Sequence, residues 1–201
     1  MSRSRYATAV VIGSVALLES ARVARTHRVS TGEERVFRLA NDLPDALHIP
    51  VWAVMQSGSL AAVFVVAADA VRRREPVTAA TALIAGTVVW GGVKAVKPKI
   101  GRGRPAHHLD SVSVRGQAQT GLGYPSGHAA VSLTLALVTT RSMSPGRRAK
   151  AIAVSAFTGV ARMYVGAHLP QDLVGGYSLG LLSGLAANSV ARKLDAGPAM
   201  R

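Results

Sequence analysis

No cysteine occurs anywhere in the 201 residues, so disulfides, thiolate nucleophiles and thiolate metal sites are excluded at once. Aromatic side chains make up only 4% of the chain, too few for the large core of a conventional soluble domain of this length. Acidic residues are scarce as well: 10 Asp and Glu stand against 24 Lys and Arg, for a net charge of +14. An excess of that size suits nucleic acid, anionic lipid or phosphate partners. Nucleic acid is set aside, because many of the cations fall in short gaps between apolar runs and no recognised nucleic-acid motif accompanies them. A cleavable leader is not expected either. The first apolar run, Ala7 to Leu18, is followed by Glu19-Ser20-Ala21-Arg22, a poor cleavage context.

What the chain does have is apolarity carried by small side chains. The hydrophobic fraction is 49%, and Ala, Val, Leu and Gly supply most of the apolar character. That composition fits helices packed closely in a bilayer. Apolar runs of helix length occur at about 52–70, 78–96, 127–140, 150–167 and 173–191, several near the ~20 residues that cross hydrocarbon. The run 7–18 is too short alone, but Tyr6 and Glu19 to Ala24 extend it to a first helix. The fold class expected is therefore all-α, a polytopic membrane helix bundle of about six transmembrane helices. Its organisation is an N-terminal helix with an interfacial segment at 1–50, a core of membrane helices at 51–195, and a short tail at 196–201.

The gaps also carry an orientation. Arg72-Arg73-Arg74, then Arg141, Arg147, Arg148 and Lys150, then Arg192 and Lys193 occupy alternate gaps, which the positive-inside rule assigns to the cytoplasm. Segments 97–124 and 168–172 then share the outer face. So does 19–50, despite Arg22, Arg25, Arg28, Arg35 and Arg38. Within it, Ser30-Thr31-Gly32-Glu33 has the form of a capping box, and Val36, Phe37, Ala40 and Leu43 follow at helical spacing. This predicts a short helix lying on the membrane surface.

Three clusters carry chemistry. Lys97-Pro98-Lys99-Ile100-Gly101-Arg102-Gly103-Arg104-Pro105 follows an apolar helix that Pro98 is expected to end. Lys97 and Arg104 bring a point charge and a fork to one anion, although a solvated basic loop would read the same way. Gly121-Leu122-Gly123-Tyr124-Pro125-Ser126-Gly127-His128 opens the next run. It presents helix-end amides near Ser126 and Gly127 that suit phosphate, with His128 in the first turn as a proton donor. A plain helix cap is the alternative. The third cluster is Arg162-Met163-Tyr164-Val165-Gly166-Ala167-His168-Leu169-Pro170-Gln171-Asp172. Arg162 is the only Lys or Arg between Lys150 and Arg192, and Asp172 the only carboxylate between Asp110 and Asp195. Single charges in an apolar stretch need one another or a ligand. Pro170 separates two helices and leaves His168 in the turn, where Asp172 would orient it as a nucleophile. An Arg162–Asp172 staple between helices is the competing reading.

On these residues the chain resembles the type-2 phosphatidic acid phosphatase superfamily. That family's pattern, K-x6-R-P, then P-S-G-H, then S-R-x5-H-x3-D, is met by Lys97, Arg104 and Pro105, by Pro125 to His128, and by Arg162, His168 and Asp172. The departure is Ala161, where the family usually has serine. The resemblance implies a multi-pass cell-membrane phosphatase of a lipid phosphate or polyprenyl pyrophosphate such as undecaprenyl pyrophosphate, with its active site on the extracytoplasmic face. It implies His168 as nucleophile, Asp172 orienting it and His128 as acid, with Lys97, Arg104, Arg162, Ser126 and Gly127 holding phosphate. No metal and no cofactor are called for; His107-His108-Leu109-Asp110 is expected to meet headgroups or solvent. The expected partners are a membrane lipid phosphate and the bilayer, not nucleic acid. Two alternatives stay open: a membrane protein that only binds phospholipid headgroups, and a phosphatase of soluble phosphomonoesters.

Overall fold

The computed structural model of the chain describes residues 2–117, 119–141 and 143–196; most of the expected tail lies outside them. Among the described residues there are eight α-helices and no strand: α1 Arg3–Ala24, α2 Thr31–Asn41, α3 His48–Met55, α4 Leu60–Arg72, α5 Pro76–Ile100, α6 Gly127–Thr139, α7 Pro145–Tyr164 and α8 Pro170–Asp195. The expected all-α bundle of a membrane protein is what the chain forms. By length and apolarity α1, α5 with its extension, and α8 can each cross a membrane, and α3 with α4 makes a fourth span if the bent pair is counted as one. α6 is apolar but short, and α7 opens with Arg147, Arg148 and Lys150.

Two details depart from expectation. The run 52–70 is not one helix, because a short 3-10 turn at Gln56–Gly58 divides α3 from α4 and bends the pair by 68°. A Cβ at Gly58 would overlap the carbonyl oxygen of His128, so the corner presses on α6 and only glycine fits. The second departure is at Pro98, which does not end α5. It sits inside the last turn; the Gly101 N–H still donates to Lys97 O, and the helix ends there because Gly101 takes a φ of 73° that turns the chain out of the helix.

α8 is the central helix, packed on both α6 and α1. Gly176, Gly180 and Gly184 recur every fourth residue along the face of α8 against α6. A Cβ on any of them would run into Ser126 O, Ala130 O or the Leu137 side chain. Glycine at this spacing lets two backbones touch, which is how helices associate where the surroundings are as apolar as the side chains. A second core of Val63, Ala82, Val89, Val93, Val131, Leu135 and Val138 joins α4, α5 and α6. Val11, Ile12, Val15, Phe64, Val65, Ile84 and Val88 stand exposed on the flanks, where lipid would cover them.

α2 is present as expected, but its apolar residues divide. Phe37 and Ala40 turn inward toward Leu169 and Leu173, while Val36, Leu39 and Leu43 remain outside. α5 and α7 run toward one end of the bundle and α6 and α8 start from it. The three motif clusters are thereby brought to the same end, and the arginine-rich gaps to the other.

Candidate active site at one end of the bundle

The turn between α7 and α8 is built by its backbone. Gly166 takes a φ of 72°, Pro170 opens α8, and Asp172 in the first turn accepts the Leu169 N–H at 3.0 Å through Oδ2. The same oxygen faces His168 Nδ1 at 3.3 Å. A carboxylate can only accept, so Nδ1 carries the proton and Nε2 keeps its lone pair. His168 is 2% exposed and Asp172 0%. Burial holds the His168 imidazole well below its usual range, and the nearby charges of Arg162, Lys97 and Arg104, with His128, push the same way. The ring is therefore neutral, the form in which a lone pair can attack.

The cations are held by carbonyl oxygens and not by acids. Lys97 Nζ donates to Leu122 O at 2.7 Å and Gly123 O at 3.0 Å. Arg104 donates to Ala167 O at 2.8 Å and Thr120 O at 3.2 Å. Arg162 is 3% exposed; its Nη1 meets Met55 Sδ at 3.3 Å and its Nε has no partner among the described residues. Carbonyls and a thioether fix these side chains without cancelling their charge, so three cations are held ready for an anion. The competing reading, an Arg162–Asp172 staple, is not met: neither the hydrogen bonds nor the ion pairs of the described residues join them.

Ser126 is fully buried as the N-cap of α6, its hydroxyl accepting from Ala129 N at 3.5 Å, with Gly127 the first helical residue. Ser126 N also donates to Asp172 O at 2.8 Å, which ties the second cluster to the third. His128 lies in that first turn, near enough for its charge to act on His168. Gly123 passes between these groups, and a Cβ there would lie 2.6 Å from Gly103 O and 2.8 Å from Asp172 Oδ2. Ala161 is fully buried in an apolar cluster with Val51, Met55 and Tyr164.

Sequence reasoning missed two residues here. Arg102, read only as one cation in a basic run, is completely buried and forks onto Glu33 at 2.8 and 2.9 Å, with a longer contact of 3.4 Å to Asp172 Oδ1. Glu33, read as half of a capping box, does not return to its own helix. Ser30 still accepts from Glu33 N, but the carboxylate goes to Arg102 and to Gln171 N at the start of α8.

A membrane helix bundle with uncancelled cations, helix-end amides and a His–Asp pair at one end defines a class of protein that handles a phosphate at the bilayer surface. The model of the PAP2 superfamily matches residues 75–195, more than half of the chain, and the chain belongs to that family. A lipid A 4'-phosphatase of Bacteroides thetaiotaomicron is 34% identical over 107 residues, covering 50% of this chain and 48% of that protein. The chain thus spans about half the length of that curated relative. Two crystal structures share the fold, each with a TM-score of 0.68. Aquifex aeolicus LpxE is 22% identical, over 79% of this chain and 93% of its own. The transmembrane PAP2-type phosphatidylglycerolphosphate phosphatase of Bacillus subtilis is 18% identical, over 93% of this chain and 98% of its own.

Proposed function

We propose that the protein is an integral membrane phosphatase that removes phosphate from a membrane lipid through a phosphohistidine on His168. The observation that carries this reading is a buried imidazole held against Asp172 amid three cations that form no ion pair among the described residues. A protein that only bound headgroups would need the cations but not the His–Asp pair. In the mechanism proposed, His168 Nε2 attacks phosphorus while the P–O bond to the lipid breaks, and His128 gives its proton to the leaving oxygen. Asp172 balances the imidazolium charge as it forms, and Lys97, Arg104, Arg162 and the Gly127 amide take the equatorial oxygens, while the Ser126 amide, expected to share that task, is engaged by Asp172 O and positions the helix end instead. Water, giving a proton back to His128, then cleaves the N–P bond and releases phosphate.

The relatives are named for phosphates carried on lipids, lipid A and phosphatidylglycerolphosphate. A lipid phosphomonoester is accordingly the substrate class favoured, with a polyprenyl pyrophosphate as the variant to include in a panel. The test is phosphate release by detergent-purified protein from phosphatidic acid, phosphatidylglycerol phosphate and undecaprenyl pyrophosphate, in EDTA, with and without orthovanadate. Turnover should survive the chelator and yield to vanadate. His168→Ala should lower it by several orders of magnitude while the protein still folds. Residual activity above about a tenth of wild type would remove His168 from the role.

A further inference from the structure

Asp172 is completely buried, and a buried carboxylate without compensation takes up a proton. As a neutral acid it could not balance an imidazolium on His168. Its compensation comes from Arg102, which reaches Asp172 Oδ1 at 3.4 Å while Oδ2 is committed to His168 and Leu169. Arg102 is not free to neutralise Asp172, because Glu33 takes the closer, two-pronged contact at 2.8 and 2.9 Å. Glu33 in turn is anchored at the N-terminus of α8 by Gln171 N at 3.0 Å, where a helix end favours an anion. One guanidinium thus serves two buried carboxylates unequally, and Asp172 keeps negative charge to direct at His168.

We propose that Glu33 and Arg102 are positioning residues for the reaction: Arg102 keeps Asp172 a carboxylate aimed at His168, and Glu33 sets how much of the guanidinium's charge Asp172 receives. The proposal rests on the reading of His168 and Asp172 given above. It reaches beyond the motif residues, since Glu33 belongs to α2, outside the segment 75–195 that the family model matches. The alternative is a staple: an ion pair that merely pins α2 to α8. A staple affects how much folded protein there is, and leaves the chemistry of the folded protein unchanged.

Electrostatics separates the two. The charged and titratable groups around Asp172 are Arg102 and Arg104 from the loop after α5, Lys97 from α5, Glu33 from α2, Tyr124 from the segment before α6 and His168 from the turn. If the acid limb of kcat reports Asp172 losing its charge, removing Arg102 must move that limb to higher pH. Removing the competing charge of Glu33 must move it to lower pH. A limb that came from ionisation of the substrate itself would move in neither variant.

The experiment uses the full chain in detergent with dioctanoyl phosphatidic acid as the probe, and records kcat and KM against pH. Wild type and His168→Ala serve as controls, and unfolding in detergent reports stability. Arg102→Met should raise the acid limb by about one pH unit, Glu33→Gln should lower it by about one, and KM should stay within about twofold in both. Arg102→Lys, which keeps the charge but not the fork, should fall between wild type and Arg102→Met. If Arg102→Met does not purify folded, the sign of the Glu33→Gln shift decides alone. Limbs that stay put, or that move in the same direction, overturn the positioning role. If that happens while wild type turns over and His168→Ala does not, the phosphatase reading survives. An inactive wild type, or an active His168→Ala, overturns both.

Discussion

At the site almost every side chain is fixed by a backbone atom. Lys97 answers to two carbonyls, Arg104 to two more, and Asp172 to the Leu169 N–H. Gly123 is where that backbone has least room. Gly123→Ala should therefore push Asp172 off His168 or displace the loop backbone at Gly103. The cost expected is about 1–3 kcal/mol of stability, from overpacking. Activity per folded molecule should fall by more than the stability loss explains, which paired unfolding and turnover measurements in detergent would show. The His168–Asp172 contact was legible in the sequence because its signal is local: two polar residues four apart across a proline, in a stretch with no competing charge. Arg102 was not. It is one of several cations in a run, and what sets it apart is a partner 69 positions away. Glu33 was misread for the complementary reason, since a strong local pattern pointed to its own helix while the stronger bond went to another.

Helices form here where small residues permit contact and break where a neighbour intrudes. The seam of Gly176, Gly180 and Gly184 brings α8 onto α6 and so brings Asp172 beside Ser126. Gly180→Val should force the two backbones apart, with a stability loss of about 1–3 kcal/mol and a drop in turnover although the residue lies well down the helix from His168. A variant that unfolds later than wild type would show that the seam is not close-packed. The helix-forming runs themselves could be read from apolar length, and α1, α5 and α8 lie near where the sequence puts them. The α3–α4 corner falls at Gln56-Ser57-Gly58-Ser59, a polar and small-residue interruption inside the run 52–70; what the sequence does not show is the close neighbour that Gly58 admits, the His128 carbonyl on another element. Pro98 misled in the other direction: in a last turn the missing N–H costs little, and Gly101 sets the stop.

For the molecule as a whole, the segregation of charge carries a prediction about sidedness. Arg72, Arg73 and Arg74 and the basic start of α7 lie at the end opposite His168, so a cytoplasmic location for them puts the site at the outer surface. Of the arginines that count against this, Arg38 is paired with Glu34 at 3.3 Å, and Arg115 on the same side is paired with Asp45 at 2.7 Å. Since the chain has no cysteine, Ser113→Cys and Ser144→Cys make clean reporters. With a membrane-impermeant maleimide on intact cells, the first should label and the second should not. The reverse pattern would place the site in the cytoplasm.

The residues before 75 bear on what a working piece of this protein would be. Ser20 holds the buried Tyr124 hydroxyl at 2.9 Å, Glu33 shares Arg102, Met55 caps the Arg162 guanidinium, and Ser57 bonds Thr158 at 2.8 Å beside the Gly58 corner. Each motif cluster thus leans on at least one side chain that the matched segment does not include. A chain trimmed to 75–195 would keep all the motif residues and yet leave Arg102 with one carboxylate, Tyr124 without its hydroxyl partner and Arg162 facing a gap. In this molecule the stretch that can be recognised and the stretch whose side chains complete the site have different boundaries.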